Sequence, residues 1–518
     1  MLSMKQSTSS LEQRIVELEN QVEKLQSRNQ YLEELFRLAQ HKKFGASSEA
    51  HSGQGELFDE AESVDEVAEE TTQAPAEQDV IRSYKRNKPK RKPLPANLPR
   101  ETVVLDLAEE DKICDCCGHA LHQIGEDRAE KLEFVPAKVK VIETVRPKYA
   151  CRQCEKQDDG SREQSPIKQA SVAPAIIPKG IATPSLLSQI ITSKYQYSLP
   201  LYRQEALFMQ HGIELSRKTM ADWVLKCAEA LVPFCLLLRQ ILLKQPVVHA
   251  DETTVKVLKE DKSTCYMWVY CTGADSPEVN HPLPNIVLYD YQNSRRGQCV
   301  VDFLDGFTQY LQVDGYVGYH QTQAILVGCW AHTRRKFMEA KQAAANGKQG
   351  KADMALSFIQ KLYRIETQTK DKTPQEKQLI RQQQARPILD KFKQWLDKSS
   401  IQVLPKSKLG EAINYNLNQW HKLIRYIDDG LLNIDNNRAE RAVKPFVIGR
   451  KNWMFSNTPR GAQASANLYS VIETAKANGL MPFDYLTMLF TELPKRKPAD
   501  DLTDLLPWSI VPNEIESV

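Results

Sequence analysis

Val247-Val248-His249-Ala250-Asp251 is a short apolar run that ends in a carboxylate, and it marks the point where the hydrophobic period changes from helical to β. Thr254 to Val257, Thr264 to Thr272 and Asn285 to Tyr291 follow in immediate succession, as antiparallel neighbours do. A helix-compatible stretch from Gln298 to Phe303 then leads to Tyr310-Leu311-Gln312-Val313-Asp314, a second apolar strand ending in Asp, and Ala324 to Cys329 supplies another. Antiparallel strands followed by crossovers predict a mixed sheet with helices on its faces. With the first and fourth strands as central neighbours, Asp251 and Asp314 fall side by side near the carboxyl ends, where such sheets host active sites.

Two adjacent carboxylates repel, so both stay ionised only with a cation between them, and oxygen-only ligands select Mg2+ or Mn2+. A third carboxylate is expected from a helix, and Asp435-Asn436-Asn437-Arg438-Ala439-Glu440-Arg441-Ala442-Val443-Lys444-Pro445 offers one. Asp435 or Asn436 can cap this helix, Asn437, Glu440 and Lys444 share a face, and Pro445 disfavours its continuation. From Arg438 to Arg460 inclusive there are six Lys or Arg and one acid, Glu440. Between Asp314 and Glu440, Lys336 to Ile427 reads as a mainly helical insertion rich in Gln and Lys. Any strand-terminal Asp taken alone is often a turn residue, and Asp290, Asp302 and Asp305 are rivals of that kind. The order strand-Asp, strand-Asp, helix-Glu is what distinguishes Asp251, Asp314 and Glu440.

Upstream, Ser185 to Leu243 is helical in pattern. Leu201 to Gln210, a turn containing Gly212, and a helix from Arg217 to Ala228 capped by Ser216 make a helix-turn-helix-like pair. Arg217 and Lys218 at the head of the second helix could meet DNA, although helix pairs also serve as plain packing units. Further upstream, Cys114 and Cys117 form one C-x-x-C and Cys151 and Cys154 a second, the four thiolates that a closed structural Zn2+ site takes. Cys116, His119 and His122 lie close enough in sequence to exchange as ligands.

From Glu56 to Asp79 there are ten acidic residues and no Lys or Arg, and Arg82, Lys85, Arg86, Lys88, Lys90, Arg91 and Lys92 follow without an acid. These blocks cancel within a 518-residue chain of net charge +3, and their few large apolar residues predict a flexible tether over 46–99. Before it, Leu11, Leu18, Leu25 and Leu32 recur every seven residues with Ile15, Val22, Asn29 and Phe36 between them, the d and a positions of a coiled coil over 8–45. Asn29 in the seam favours a two-stranded state, so self-association is expected. The longest apolar run, Ala230 to Leu238, is too short to cross a bilayer, and the first residues lack an apolar signal core. The expectation is a cytoplasmic, reducing compartment in which clustered cysteines bind metal rather than pair. The fold class read from these signals is multidomain α+β.

These residues resemble a known family, the large DDE transposases of the insertion sequence sixty-six type. The resemblance is carried by His249-Ala250-Asp251-Glu252-Thr253, Val313-Asp314-Gly315-Tyr316, Gly328-Cys329-Trp330-Ala331-His332-Thr333-Arg334-Arg335-Lys336-Phe337 and Asp435 to Ala442. Phe44 to Glu49, the zinc knuckles and Ile472-Glu473-Thr474-Ala475-Lys476-Ala477-Asn478-Gly479 extend it over nearly the whole chain. It implies a zinc module over 100–166, a helical DNA-binding region over 180–245 and a tail after 490. The ribonuclease-H-like catalytic domain it implies is split into 246–335 and 431–490 by a helical insertion at 336–430. Asp251, Asp314 and Glu440 would hold two Mg2+ or Mn2+ ions ~4 Å apart for cleavage at element ends and joining of 3′-hydroxyls to target DNA. Arg438, Arg441, Lys444, Arg450 and Lys451 would neutralise phosphates, and His332 would either approach the scissile phosphate or be hydrogen-bonded within its turn. The implied partners are DNA, a second copy of the chain and small accessory proteins of the same element, with no membrane. Two rivals remain: a DNA-binding regulator with an inactive enzyme-like domain, and a structure-selective metal-dependent nuclease.

Overall fold

The structure is a computed structural model that describes part of residues 17–37, residues 140–149, and residues 168–510 apart from 263, 278–282, 345–349 and 498. Cys114, Cys117, Cys151 and Cys154, most of the charged tether and the start of the heptads lie outside the described residues. Residues 73–172 form a unit of their own, in which strands β1 (Lys148–Tyr149) and β2 (Lys168–Gln169) pair antiparallel.

In the larger unit, β3 (Val247–Val255), β4 (Cys265–Thr272), β5 (Ile286–Gln292), β6 (Tyr310–Gln312) and β7 (Ile325–Val327) form one sheet in the order β5-β4-β3-β6-β7. Runs such as Tyr266 to Cys271 are apolar without alternation, as suits a strand covered on both faces, and Cys265, Met267, Trp268, Val269, Tyr270 and Cys271 are all fully buried. β3 runs antiparallel to β4 and parallel to β6, so the run quoted first is the centre of a mixed sheet.

Helices α1 (Pro184–Tyr195), α2 (Leu201–Gln210), α3 (Arg217–Ala230) and α4 (Val232–Leu242) precede the sheet, and α5 (Gly297–Phe303) lies within it. Gly212 turns between α2 and α3 at φ +73°, and the Ser216 hydroxyl accepts from the Thr219 N–H as the N-cap of α3, so the helix-turn-helix-like pair forms where its turn residues put it. After β7 come α6 (Trp330–Ala343), α7 (Lys351–Gln368), α8 (Pro374–Ile380), α9 (Arg386–Ser400) and α10 (Lys408–Leu423). These helices build a second core around Trp330, Phe337, Ile359, Phe392, Ile413 and Tyr426. The described residues among 17–37 are helical, and Glu34 of that segment accepts from the Lys408 N–H at 2.8 Å, at the head of α10.

The chain then returns to the sheet through α11 (Asn437–Trp453), α12 (Pro459–Ala477) and α13 (Pro482–Glu492). Pro445 does not end the glutamate-bearing helix as expected: α11 runs eight residues past it, to Trp453. A proline costs a helix one N–H donor and some crowding. Here Val443 and Phe446, both buried, fasten the helix to the main core on either side of it. α12 covers the edge of β5. Thr474 Oγ1 accepts from the Val287 N–H at 3.0 Å and donates to its carbonyl, and Ser470 Oγ accepts from the Tyr289 N–H at 2.8 Å, which satisfies an edge that would otherwise invite another strand. Among the described residues no helix is long and apolar enough to cross a membrane.

Candidate active site

The register of the sheet sets two carboxylates together. The last parallel pair between β3 and β6 is His249 with Gln312. Asp251, in the middle of β3, and Asp314, two residues past the end of β6, each stand two residues beyond that pair, which sets them at equivalent places along neighbouring chain segments. Asp251 Oδ1 accepts from the Glu252 N–H at 2.8 Å. Asp314 Oδ1 accepts from the Tyr316 N–H at 2.8 Å, a local turn that leaves its other oxygen for a ligand. Gly315 is required by close approach: a Cβ there would meet Tyr415 Cε2 at 2.8 Å, so α10 packs directly behind Asp314.

Glu440 comes from the first turn of α11. Its side chain is 8% exposed, with Oε1 3.4 Å from His332 Nδ1 and Oε2 3.6 Å from Arg335 Nη2. His332 therefore faces the carboxylate of α11. Burial, reinforced by Arg335, pushes its pKa down to about 4, so it is a neutral imidazole near pH 7. Cys329, at the head of α6, accepts from the Asn436 N–H through Sγ at 3.1 Å. Among the described residues, Cys329, His332 and Glu440 bring one donor atom each within 4.8 Å of one another.

Asp251 feels all of its neighbours. Its carboxyl is raised well above the usual range, first by burial and then by the charges of Glu252, Asp314 and Glu440. The charges of two other chain segments, at Asp314 and Glu440, thus reach the partly buried Asp251. The donors of this set are all oxygen, and a divalent cation in place of the proton would relieve the repulsion, so these residues fit Mg2+ or Mn2+. Cys329 adds a soft thiol that hard cations do not choose.

A fourth acid, Glu252, was not singled out by its sequence position. Oε1 accepts from Arg295 Nε at 2.7 Å and Oε2 accepts from Tyr319 Oη at 2.7 Å, while the Arg295 guanidinium lies 4.1 Å from the centroid of the Tyr316 ring. This clamp ties β3 to the loop after Asp314. Burial and Asp314 raise the Glu252 carboxyl, and Tyr319 and Arg295 oppose that rise. An Asp-Glu pair in the middle of β3, where its apolar run gives way to polar residues, was the available signal.

The cations distribute unevenly. Arg217 and Lys218 are exposed on the first turn of α3. Lys451 is exposed and Arg441 half-exposed, the latter paired with Asp275. Arg438 is turned inward, 5% exposed, bonded to Asp275 at 2.8 Å and to the Gly273 carbonyl at 3.3 Å, so its charge is spent inside the fold. Arg450 reaches the Thr253 and Thr254 hydroxyls at 3.2 and 3.0 Å and staples α11 to β3, and Lys444 on the same helix is partly buried. Asp302 and Asp305 are exposed, and Asp290 lies on β5, two strands from Asp251.

A profile described as the Transposase IS66 family matches residues 179–464, more than half of the chain and all of the segments that build this site. The chain belongs to the IS66 transposase family. Further profiles of that family match residues 111–155 (zinc-finger binding domain of transposase IS66), 31–103 (Transposase C of IS166 homeodomain) and 470–508 (IS66 C-terminal element). Two uncharacterized proteins of Sinorhizobium fredii are similar along most of their length. One, y4qI, is 33% identical over 446 residues, 83% of this chain and 80% of the relative. The other, y4hP, is 34% identical over 463 residues, 86% of this chain and 81% of the relative. No solved structure matches the chain. Family membership places a transposase domain over the sheet and a zinc-finger domain over the C-x-x-C pairs, and it makes DNA the partner.

Proposed function

We propose that this protein is the DNA transposase of a bacterial insertion sequence, cutting at the element's ends and joining the exposed 3′-hydroxyls to target DNA. The observation that carries the reading is the parallel register of β3 and β6, which sets Asp251 and Asp314 each two residues beyond the His249–Gln312 pair, with the charge of Glu440 on α11 also felt at Asp251. The sheet order, with three antiparallel strands followed by two parallel ones, supports a ribonuclease-H-like catalytic domain. Asp251, Asp314 and Glu440 would hold the divalent ions, and these, when bound, supply Lewis acidity to the phosphodiester. In each step an oxygen nucleophile, water or a 3′-hydroxyl, forms a new P–O bond as the opposite P–O bond breaks.

The chain's own groups position that exchange. Arg295 and Tyr319 fix Glu252 and with it the loop after Asp314. His332, neutral, and Arg335 orient Glu440 from the other side. Arg441, Lys444 and Lys451 along α11 would neutralise phosphates, and Arg217 and Lys218 would meet DNA at the head of α3. Cys114, Cys117, Cys151 and Cys154 would close one structural Zn2+ site. The protein would act in the cytoplasm, on the nucleoid, as a homo-oligomer with small accessory proteins of its element. Incubation of purified protein with a duplex bearing the inverted repeat that flanks its reading frame tests the proposal. Joined products that need Mg2+ or Mn2+ and vanish with chelator are expected; hydrolysed ends without joining would overturn transposition in favour of a nuclease.

A further inference from the structure

Helix α11 runs on well past its carboxylate. After Trp453 the chain turns through Met454 at φ +64° and ψ −40°, and the Phe455 N–H donates to the Trp453 carbonyl at 2.8 Å. A bond from i to i+2 around a residue of positive φ is the rare, strained form of γ-turn. Methionine has none of glycine's freedom to relieve it. Such strain persists where the surroundings over-determine it, and here they do. The Trp453 ring meets Phe446 edge-on at 5.4 Å, the Ser456 N–H donates to the Lys256 carbonyl at 2.9 Å, and the Leu258 and Lys259 N–H groups donate to the Ser456 and Asn457 carbonyls.

The result is a held tip, with Met454 70%, Phe455 45% and Leu258 48% exposed. Around them, residues 256–262 and 450–457 carry Lys256, Lys259, Lys262, Arg450 and Lys451 against Glu260 and Asp261. Large apolar side chains exposed together need a partner, and the exposed Lys256, Lys259, Lys262 and Lys451 on the same two segments select one whose outside is anionic and whose inside is flat and apolar. A DNA duplex has both properties. The tip is also continuous with the site: it joins the end of the strand that carries Asp251 to the end of the helix that carries Glu440. Glu440 to Met454 is fourteen residues of helix, roughly 21 Å, or about six base pairs of duplex.

Resting on the function proposed above, we infer that Met454 and Phe455 form a wedge that unstacks a base of the bound element end about six base pairs from the scissile phosphate, while Lys256, Lys259 and Lys451 hold the flanking phosphates.

The test uses full-length protein carrying Asp251→Asn and duplexes of the flanking inverted repeat with a fluorescent purine analogue placed at successive positions. A rise in fluorescence confined to positions near the sixth base pair is expected. Phe455→Ala should remove the rise and weaken end binding roughly fivefold, a cost in keeping with one lost base–aromatic stack. Met454→Gly should diminish the rise while raising the unfolding midpoint, because glycine accepts the turn without strain; a purely structural Met454 would give no such opposition. An unchanged rise in the Met454→Gly, Phe455→Ala double variant overturns the wedge, as does loss of self-association with the rise intact, which would make the tip a protein interface. A chain that binds no element end refutes the proposed function and the wedge together. If the chain with Asp251 intact binds, cuts and joins while the Asp251→Asn chain binds the end without the rise, the wedge alone is refuted.

Discussion

The side-chain amide of Asn436 donates to the Ala250 carbonyl at 2.8 Å, joining the residue before Asp251 to the residue at the head of the helix that carries Glu440. With Nδ2 committed there, Asn436 Oδ1 is the acceptor for His249 Nδ1, 3.1 Å away, and all of these groups are buried. Burial pushes His249 down to about 4, which keeps it the neutral donor this arrangement needs. One side chain therefore sets the spacing between strand and helix.

Asn436→Ala removes two buried hydrogen bonds and leaves the His249 nitrogen and the Ala250 carbonyl without them, a cost of about 2–4 kcal/mol. Chemical denaturation should read that loss, and DNA cleavage at a temperature where the variant is folded should fall further than its folded fraction. Full cleavage by the folded variant would show that Asn436 supports the fold without positioning Glu440.

Asp290 offers a pH test away from the candidate site. Burial pushes its carboxyl up to about 6 from 3.8, against an opposing bond from Gln292 Nε2 at 2.8 Å. The folded state then binds more protons than the unfolded one between these values, so stability falls as pH rises through that window, and the penalty is complete above it. Asp290→Asn should stabilise the protein by about 1–3 kcal/mol at pH ~7 and by nearly nothing at pH ~4, with cleavage unchanged. A stability difference of the same size at both pH values would contradict the assignment.

A fragment from about Arg100 to Pro166 should contain one Zn2+ and unfold when Cys117 or Cys151 is replaced by Ser, because metal binding is folding energy in such a module. Metal analysis alongside circular dichroism decides it. A folded fragment without zinc removes the module.

In the helical segment near the N-terminus, Leu18, Val22, Leu25, Leu32 and Phe36 are all between 47% and 65% exposed, an apolar stripe at heptad spacing. Removal of the residues before Gly45 should weaken self-association in sedimentation and leave the unfolding of the sheet domain intact. If the shortened chain sediments as the same oligomer as the whole, assembly lies elsewhere.

The strands were legible because their apolar runs are continuous and bounded by turns, and Asp251 and Asp314 because each ends such a run. Their equivalence in register needed only the parallel pairing of β3 with β6. Glu440 was singled out by the order strand-Asp, strand-Asp, helix-Glu. Three features were not readable. Pro445 signals a helix end, and tertiary packing of Val443 and Phe446 overrides it. Arg438 belongs by sequence to a basic face, yet Asp275, at the turn after β4, draws it inward. Arg295 and Tyr319 meet Glu252 from residues 43 and 67 positions away, and no local period announces such a contact.

The central claim is that Asp251, Asp314 and Glu440 act as one metal-holding set, and the measurement that tests it is Mg2+- or Mn2+-dependent strand transfer from a donor duplex bearing the element's end. Asp251→Asn, Asp314→Asn and Glu440→Gln keep shape and hydrogen-bonding capacity but remove charge, and each variant is compared at matched folding and end binding. The prediction is a loss of strand transfer of at least about a thousandfold for every one of the three, while Asp302→Asn and Asp305→Asn remain near normal. Near-normal transfer by folded Glu440→Gln would contradict the set and remove Glu440 from it.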